Sequence, residues 1–475
     1  MGFRTFNPSL NSWNSEVYEA TSELELASKL SELASCQSEF SRSSPIDRAR
    51  FLRFIAEQLS SQKSVIQEMY CKESGLSPER FSAEWTRTMH TLELFAHYLE
   101  KEYTFEKVQE LANESISIRK KRLAIGPVLV MGSSNFPLAY STIGGDSVAA
   151  FAAGCCVLVK AHPMHVGTSM LVAKCIEMAL ARTEFPQGIF AHIIDDGVNL
   201  AQQIVADNRI QAVGFTGSIR GGKAIMEIAQ NRPSPIPVFA EMGSCNPMII
   251  FPGLNPDDSK VIAQKIGQAI CNDAGQFCTK PGLLFVPSGM EGDNFLHALK
   301  EALLTKSPVP MLHSRIFENY EQRKKEVSTV PQVEVFTCPT HTQGIEGAWT
   351  LAETNLEVFQ SNVLLQEEVF GPFSLVIRYD SQDKLKHVLN GLPGQLTASL
   401  IYSVKTTEVE SFIALLCNKA GRIILNGVPT GVRVLEVMHH GGPFPASSDS
   451  RFTAVGPDSI TRFQKEVTIQ EENIS

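Results

Sequence analysis

The chain has 475 residues, with 42 basic side chains against 51 acidic ones, a net charge of −9, 43% hydrophobic and 20% charged residues. These are the proportions of a folded globular protein, and at roughly 100–200 residues per domain the length implies two to four domains rather than a small binding module. The acidic balance, with a single short basic run (RKKR at 119–122), argues against sequence-independent nucleic-acid binding, which needs clustered cations to displace counterions.

No membrane span is expected, because the longest apolar stretch, 148–159, is shorter than the ~20 residues a bilayer-crossing helix requires. The opening MGFRTFNPSLNSWN lacks the apolar core of a secretory leader, and Phe6 stands where an N-myristoylation signal has Ser or Thr. The ten cysteines form no C-x-x-C pair and no H-E-x-x-H occurs, so reduced thiols, a cytoplasmic location and no metal site are expected.

In chain order, the first hundred residues read as helices. Leu26, Leu30 and Leu33, then Ile46, Ala49, Leu52, Ile55 and Leu59, recur at helical intervals, and Ser44 before Pro45 is a capping start. From 103 to 122 the pattern turns to alternation, predicting a strand or hairpin with a basic edge. Beyond 123, short apolar runs (125–131, 156–159, 189–194, 212–215, 237–240) alternate with helical stretches (140–153, 168–181, 200–206, 219–229). That rhythm predicts a doubly wound parallel sheet covered by helices, with ligands at the carboxyl ends of its strands. A second α/β block begins near Cys245, with a helix over 257–271 and strands at 282–286, 374–379 and 421–425. The last twenty residues are partly extended and are placed against the 103–122 hairpin or another subunit.

The loops after the strands hold the candidate chemistry. Asn135, in GSSNFPLAY, puts an amide donor on a rigid turn, where it either stabilises an oxyanion or simply ends the strand. Lys160 closes an apolar strand, facing a ribose or phosphate or only solvent. The chain has no G-x-G-x-x-G, but Gly217 and Ser218 open a helix whose free amides favour an anion, and Gly221 and Gly222 allow close packing. Glu241 follows a mostly apolar strand, where burial would raise it toward a general base, or it is an ordinary paired carboxylate. Cys278 is displayed on the Gly-rich loop CNDAGQFCTKPG and is the best nucleophile. Cys155, Cys156, Cys175 and Cys417 read as buried, inert hydrophobes.

Taken together, S-N-F-P at 134–137, Lys160, F-T-G-S at 215–218, A-E-M-G-S at 240–244, G-Q-F-C at 275–278 and E-E-V-F-G-P at 367–372 resemble the aldehyde dehydrogenase superfamily, in its order and at similar spacing. Longer stretches, such as KAHPMHVGTS and VPTGVRVLEVMHHGGPFPASSDSRFTAVG, are most similar to bacterial 2-oxoglutarate semialdehyde (2,5-dioxopentanoate) dehydrogenases and NADP-dependent fatty aldehyde dehydrogenases. The resemblance implies that Cys278 attacks the aldehyde, that Asn135 and the Cys278 backbone N–H hold the oxyanion, and that Glu241 activates the hydrolytic water. It places Lys160 at the adenosine ribose of NADP or NAD, Gly217 and Ser218 near the pyrophosphate with Gly221 also on the cofactor side, and Glu368 and Phe370 at the nicotinamide. His162 and His165 are either structural or part of the adenosine-side pocket. His440, in HHGGP, either assists proton removal or makes a turn hydrogen bond, and Arg433 either meets a substrate carboxylate or lies on the surface. Because Ala161, His162 and Pro163 bring no acid after Lys160, the cofactor preference leans to NADP.

The implied architecture is an aldehyde dehydrogenase-like α/β fold. Residues 1–101 and 125–243 form the dinucleotide-binding domain, 244–445 the catalytic domain, and 102–124 with 446–475 an oligomerisation element, giving a homodimer or homotetramer. The leading expectation is NAD(P)-dependent oxidation of 2,5-dioxopentanoate to 2-oxoglutarate, with a medium- or long-chain aldehyde as the alternative substrate. A cysteine acyltransferase or thioesterase is disfavoured by the dinucleotide cradle, a silent scaffold by the intact Asn135, Glu241 and Cys278, and a CoA-acylating enzyme by Glu241.

Overall fold

A computed structural model of the protein describes residues 2–101, 106–111 and 116–472. Four helices, Glu23–Phe40, Pro45–Ser61, Lys63–Ser74 and Pro78–Lys101, lead the chain. The second starts as expected: Ser44 Oγ accepts the Asp47 amide at 3.0 Å and Pro45, which has no N–H to satisfy, takes the first helical position. Leu30, Leu33, Ala49, Leu52, Ile55 and Leu59 point into one core shared with the sheet that follows.

That sheet has five strands, all parallel, in the spatial order Val238–Glu241, Ala212–Thr216, Val128–Met131, Val157–Lys160, Phe190–Ile193. The first strand in sequence is central and the winding reverses beside it, between Val128–Met131 and Ala212–Thr216. The loops there diverge and leave a crevice at the carboxyl ends. The helix expected from 140 begins only at Gly145. Residues 140–144 instead curl so that the Tyr140 carbonyl accepts the Ser133 amide at 2.9 Å, and a Cβ on Gly132 would sit 2.3 Å from that carbonyl.

The second sheet has seven strands: Glu334–Thr337, Thr350–Asn355, Phe373–Tyr379, Leu283–Pro287, Met248–Ile250, Gln395–Ile401 and Ala420–Leu425. Only the Glu334–Thr337 pairing is antiparallel. Alternate residues feed two cores on opposite faces, Leu283 and Phe285 one, Leu284 and Val286 the other, as strand pleating requires.

The hairpin Glu106–Leu111 and Ile116–Ala124 is completed by Gln464–Glu472, antiparallel to Ile116–Ala124 along its whole length. Residues 102–105, 112–115 and 473–475 of the expected oligomerisation element lie outside the described residues. Residues 446–463, assigned to that element from the sequence, lie against the five-stranded sheet instead. Met242 N donates to Ala446 O at 2.8 Å, Ser448 N to Ala240 O at 2.9 Å, and Ile460 and Phe463 join the first core. Cys417 also departs from expectation: it is exposed, whereas Cys155, Cys156 and Cys175 are buried. It follows the helix Thr407–Leu416, whose inward face is already occupied by Val409, Phe412 and Leu416, and the helical turn carries the next side chain outward. Among the described residues no helix is long and apolar enough to cross a membrane, and no cluster of three or more His, Cys, Asp or Glu is placed to hold a metal.

Candidate active site

A cavity of about 490 Å³ opens at the carboxyl edge of the five-stranded sheet and runs to the loop that carries Cys278. Its walls bring together Asn135, His162, Gly217, Ser218, Glu241, Cys278, Glu368, Phe370 and His440, from segments up to 305 residues apart (440 − 135 = 305). Lys160 and Gly221 are not on this wall. Lys160 ends its strand buried, with Nζ 3.4 and 3.5 Å from the carbonyls of Ala161 and Asp195, and burial holds its pKa below the usual lysine value. Gly221 donates its amide to Ser218 Oγ at 3.1 Å, the cap of the helix Ile219–Gln230, and packs on Phe215. The helix start itself thus faces the cavity with its free amides, while Gly221 serves the cap.

Cys278 follows the helix Pro256–Cys271 through a tight turn. Asp273 and Ala274 have φ of 47° and 52°, and Gly275 has φ of 65°, with no room for a Cβ because the Gly371 carbonyl would be 2.3 Å away. Asn246 pins the far side of the loop, its Nδ2 donating to the carbonyls of Cys278 at 2.8 Å and Lys280 at 2.9 Å. Asn135 crosses from the other sheet and donates Nδ2 to Gln276 O at 2.7 Å, leaving its second amide hydrogen for a ligand.

The thiol of Cys278 is not pre-ionised. Burial first, then the negative Glu241 and Glu368, push its pKa up to about 12 against the opposing fields of Arg87 and Arg422. His440 Nε2 lies 3.9 Å from Sγ, and burial with the nearby Arg87 and Arg422 holds this imidazole down to about 3, so it is neutral at physiological pH. Its backbone is fixed by Thr453 Oγ1 at 3.0 Å, and its ring lies 6.2 Å from that of Tyr140. Glu241, the last residue of its strand, is only 8% exposed and has Oε2 without a hydrogen-bond partner. Burial raises its pKa well above the carboxylate range, Arg462 lowering it and Asp146 adding to the rise. A buried, unpartnered carboxylate beside a thiol and an amide donor can take a proton from water or sulfur.

Some wall and support residues carried no local signal. Asn246, Arg87 and Tyr140 act through partners remote in sequence: Arg87 Nη2 donates to Tyr140 Oη at 2.7 Å and Nη1 to the Val432 carbonyl. Arg323 borders the cavity and pairs with Glu367 at 2.9 Å, next to Glu368. Lys280, wholly buried, donates to Phe373 O at 2.5 Å and Val369 O at 3.2 Å, bracing the loop that carries Glu368 and Phe370 ahead of the strand Phe373–Tyr379. His165 bonds Ser133 O at 2.9 Å through Nε2 and stacks on His162 at 5.4 Å, a bracing role between the first two strand-end loops.

Residues 1–463 match the Aldehyde dehydrogenase family. The chain belongs to that family. This aldehyde dehydrogenase is 38% identical to the alpha-ketoglutaric semialdehyde dehydrogenase of Acinetobacter baylyi, over 98% of this chain and 91% of that one. It is 37% identical to alpha-ketoglutaric semialdehyde dehydrogenase 2 of Azospirillum brasilense, over 89% and 82%. Among solved structures, glyceraldehyde-3-phosphate dehydrogenase GapN of Methanocaldococcus jannaschii, complexed with NADP, superposes with a TM-score of 0.85 at 17% identity, covering 99% of both chains. The enzyme also superposes on proline utilization A of Bdellovibrio bacteriovorus with a TM-score of 0.87 at 18% identity, covering 100% of this chain and about half, 49%, of that one. The aldehyde dehydrogenase fold and NAD(P)-dependent aldehyde oxidation follow from the family. The cavity fits such a dinucleotide, offering a helix start at Ser218 and a wall that includes both His162 and Cys278.

Proposed function

We propose that this aldehyde dehydrogenase oxidises α-ketoglutaric semialdehyde (2,5-dioxopentanoate) to 2-oxoglutarate, with a thioester on Cys278 as the intermediate. The observation that carries the reading is a second cavity that also reaches Cys278, lined by Arg80, Arg87, His90 and Arg433. Its one carboxylate, Glu84, is already engaged by Arg80, Tyr70 and the amides of Leu138 and Ala139. A carboxylate-bearing aldehyde entering here meets a net cationic wall, with the exposed Arg433 at its rim and Arg87 deeper, near the thiol. The two semialdehyde dehydrogenases, similar over most of the chain, support the same substrate.

In this reading Cys278 Sγ bonds to the aldehyde carbon as its proton passes to His440 or Glu241. The oxyanion is held by Asn135 Nδ2 and the Cys278 amide. A nicotinamide dinucleotide, when bound, supplies the acceptor for the hydride leaving that carbon. Glu241 then deprotonates water, whose oxygen adds to the thioester carbon, and the C–S bond breaks to release the acid and return the thiol. Gly217 and Ser218 support the pyrophosphate, His162 the adenosine side, and Glu368 and Phe370 the nicotinamide side, while Gly221 acts only through the helix cap and Lys160 only from behind the wall. We place NADP ahead of NAD because His162 and Met164, both uncharged here, wall the adenosine end and Lys160 lies behind them.

The five-stranded sheet with the leading helices would form the cofactor domain and the seven-stranded sheet the catalytic one. A medium-chain aldehyde is the second reading, favoured by Phe136, Phe277, Val434 and Leu435 on the same wall. Initial rates of NAD(P)H formation decide between the two. We expect 2,5-dioxopentanoate to exceed hexanal in kcat/KM, and Arg433→Ala to raise KM for the dioxo acid ~10-fold or more while sparing hexanal. Equal loss for both substrates would remove the carboxylate assignment.

A further inference from the structure

Arg80 sits where the two halves of the candidate site meet. It lies on the helix Pro78–Lys101, far in sequence from both Asn135 and Cys278, and its side chain is 13% exposed. Each arm of the guanidinium is used. Nη2 donates to the Asn135 carbonyl at 3.3 Å, Nε to Asp273 Oδ2 at 2.6 Å, and Nη1 to Glu84 Oε2 at 3.0 Å. Its plane is covered by the two aromatic rings that adjoin the reactive residues in sequence, Phe136 at 4.5 Å and Phe277 at 5.4 Å, themselves edge-on at 5.7 Å.

The contacts close a ring. Asn135 Nδ2 donates to Gln276 O at 2.7 Å, and Gln276 turns back on Asp273 O through its own amide at 3.2 Å and Nε2 at 2.8 Å. Arg80 then joins Asp273 to Asn135. Glu84, the other anchor, takes the amides of Leu138 and Ala139 at 2.8 Å each, holding the chain just after Asn135. The segment being held is the left-handed Asp273–Ala274 turn that sets the height of Cys278 (φ of 47° and 52°), a conformation non-glycine residues adopt only when their surroundings enforce it.

We propose that Arg80 is a positioning residue for aldehyde oxidation: its guanidinium clasps the Asn135 loop to the Cys278 loop and so sets the distance between oxyanion donor and nucleophile. The proposal rests on the roles given above to Asn135 and Cys278. A lysine keeps the charge but has no planar fork to hold three acceptors at once, so Arg80→Lys separates geometry from charge.

The test is a double-mutant cycle on the NAD(P)-saturated enzyme, with kcat, KM for aldehyde, KM for cofactor and melting temperature read for Arg80→Lys, Asn135→Ala and the pair. We expect Arg80→Lys to lower kcat ~10- to 100-fold with cofactor KM unchanged, and to cost less than ~3-fold more once Asn135 is already Ala, since both act through one interaction. Asp273→Asn, which keeps the shape of the acceptor and removes its charge, should lower kcat in the same direction, and it decides the matter if Arg80→Lys fails to fold. Full kcat in Arg80→Lys or, should that variant not fold, in Asp273→Asn would overturn the proposal, and so would an undiminished Arg80→Lys loss in the Asn135→Ala background. If Asn135→Ala itself keeps full kcat while Cys278→Ala has none, the oxyanion role of Asn135 fails, and the clasp loses its purpose with it.

Discussion

At Cys278, burial and two neighbouring carboxylates outweigh two arginines, so the resting thiol is a poor nucleophile, held up to about 12. Ionisation of a thiol this far above neutral rises tenfold per pH unit, so alkylation of the cofactor-free enzyme by iodoacetamide should rise about tenfold per unit from pH 7 to 10. A plateau near pH 8 would mean that the thiolate is stabilised by a contact absent from this geometry. Glu241 is raised by the same burial, which suits a group that must take a proton near neutral pH. Glu241→Gln should therefore retain a first-turnover burst of reduced cofactor and lose ~100-fold or more in steady-state kcat. Loss of the burst as well would move Glu241 from thioester hydrolysis to thiol activation. Both side chains were legible as candidates in the sequence because strand-end and Gly-rich-loop positions are visible locally. Their actual ionisation was not, since it depends on burial and on charges arriving from elsewhere, Glu368, Arg87 and Arg422 at Cys278, Arg462 and Asp146 at Glu241.

The loop that carries Cys278 is an element built from refusals of space. Gly275 combines φ of 65° with the Gly371 carbonyl lying 2.3 Å from where a Cβ would stand, so two loops of the second α/β block touch backbone to backbone there. Gly275→Ala must move one of them. We expect destabilisation of ~1–3 kcal/mol by thermal melting and a fall in activity larger than that stability loss explains, because Cys278 rides on the same turn. Unchanged melting and activity would show that the loop has slack. The helix Ile219–Gln230 makes the opposite point. Its Ser218 cap and glycine pair were readable from T-G-S and G-G, yet the structure divides their work: Gly217 and Ser218 face the cavity, while Gly221 closes the cap and packs on Phe215. A cap has a sequence signature, whereas the side of a helix start that faces an open crevice is set by the neighbouring strand.

On the scale of the whole molecule, the three-stranded sheet carries exposed apolar side chains, Val108, Leu123 and Ile469, among paired charges such as Arg119–Glu471 at 2.6 Å and Arg122–Glu466 at 3.2 Å. An apolar surface on a twisted three-stranded sheet suits burial against another subunit. We expect Val108→Asp with Ile469→Asp to yield a smaller species in light scattering at unchanged far-ultraviolet circular dichroism. A wild-type chain that already runs as a monomer would remove the oligomerisation role of this element.

The alternation of strands and helices and the two α/β blocks were determined by the sequence, because they depend on short-range patterns, apolar periodicity and caps. Asn135, Glu241 and Cys278 stood out as candidates because each follows a strand or sits on a Gly-rich loop. The choice between the hairpin and another subunit as partner of the final strand was not readable there. What only the tertiary structure decided is long-range. It returned 446–463 to the five-stranded sheet, turned Cys417 outward, withdrew Lys160 from the cavity wall, set His440 3.9 Å from the thiol, and brought Arg80 between two loops that are distant in sequence. Periodicity tells a residue which face of its own element it occupies. Burial, charge and the partner across a gap depend on which other element closes over that face, and this is settled only when the chain packs.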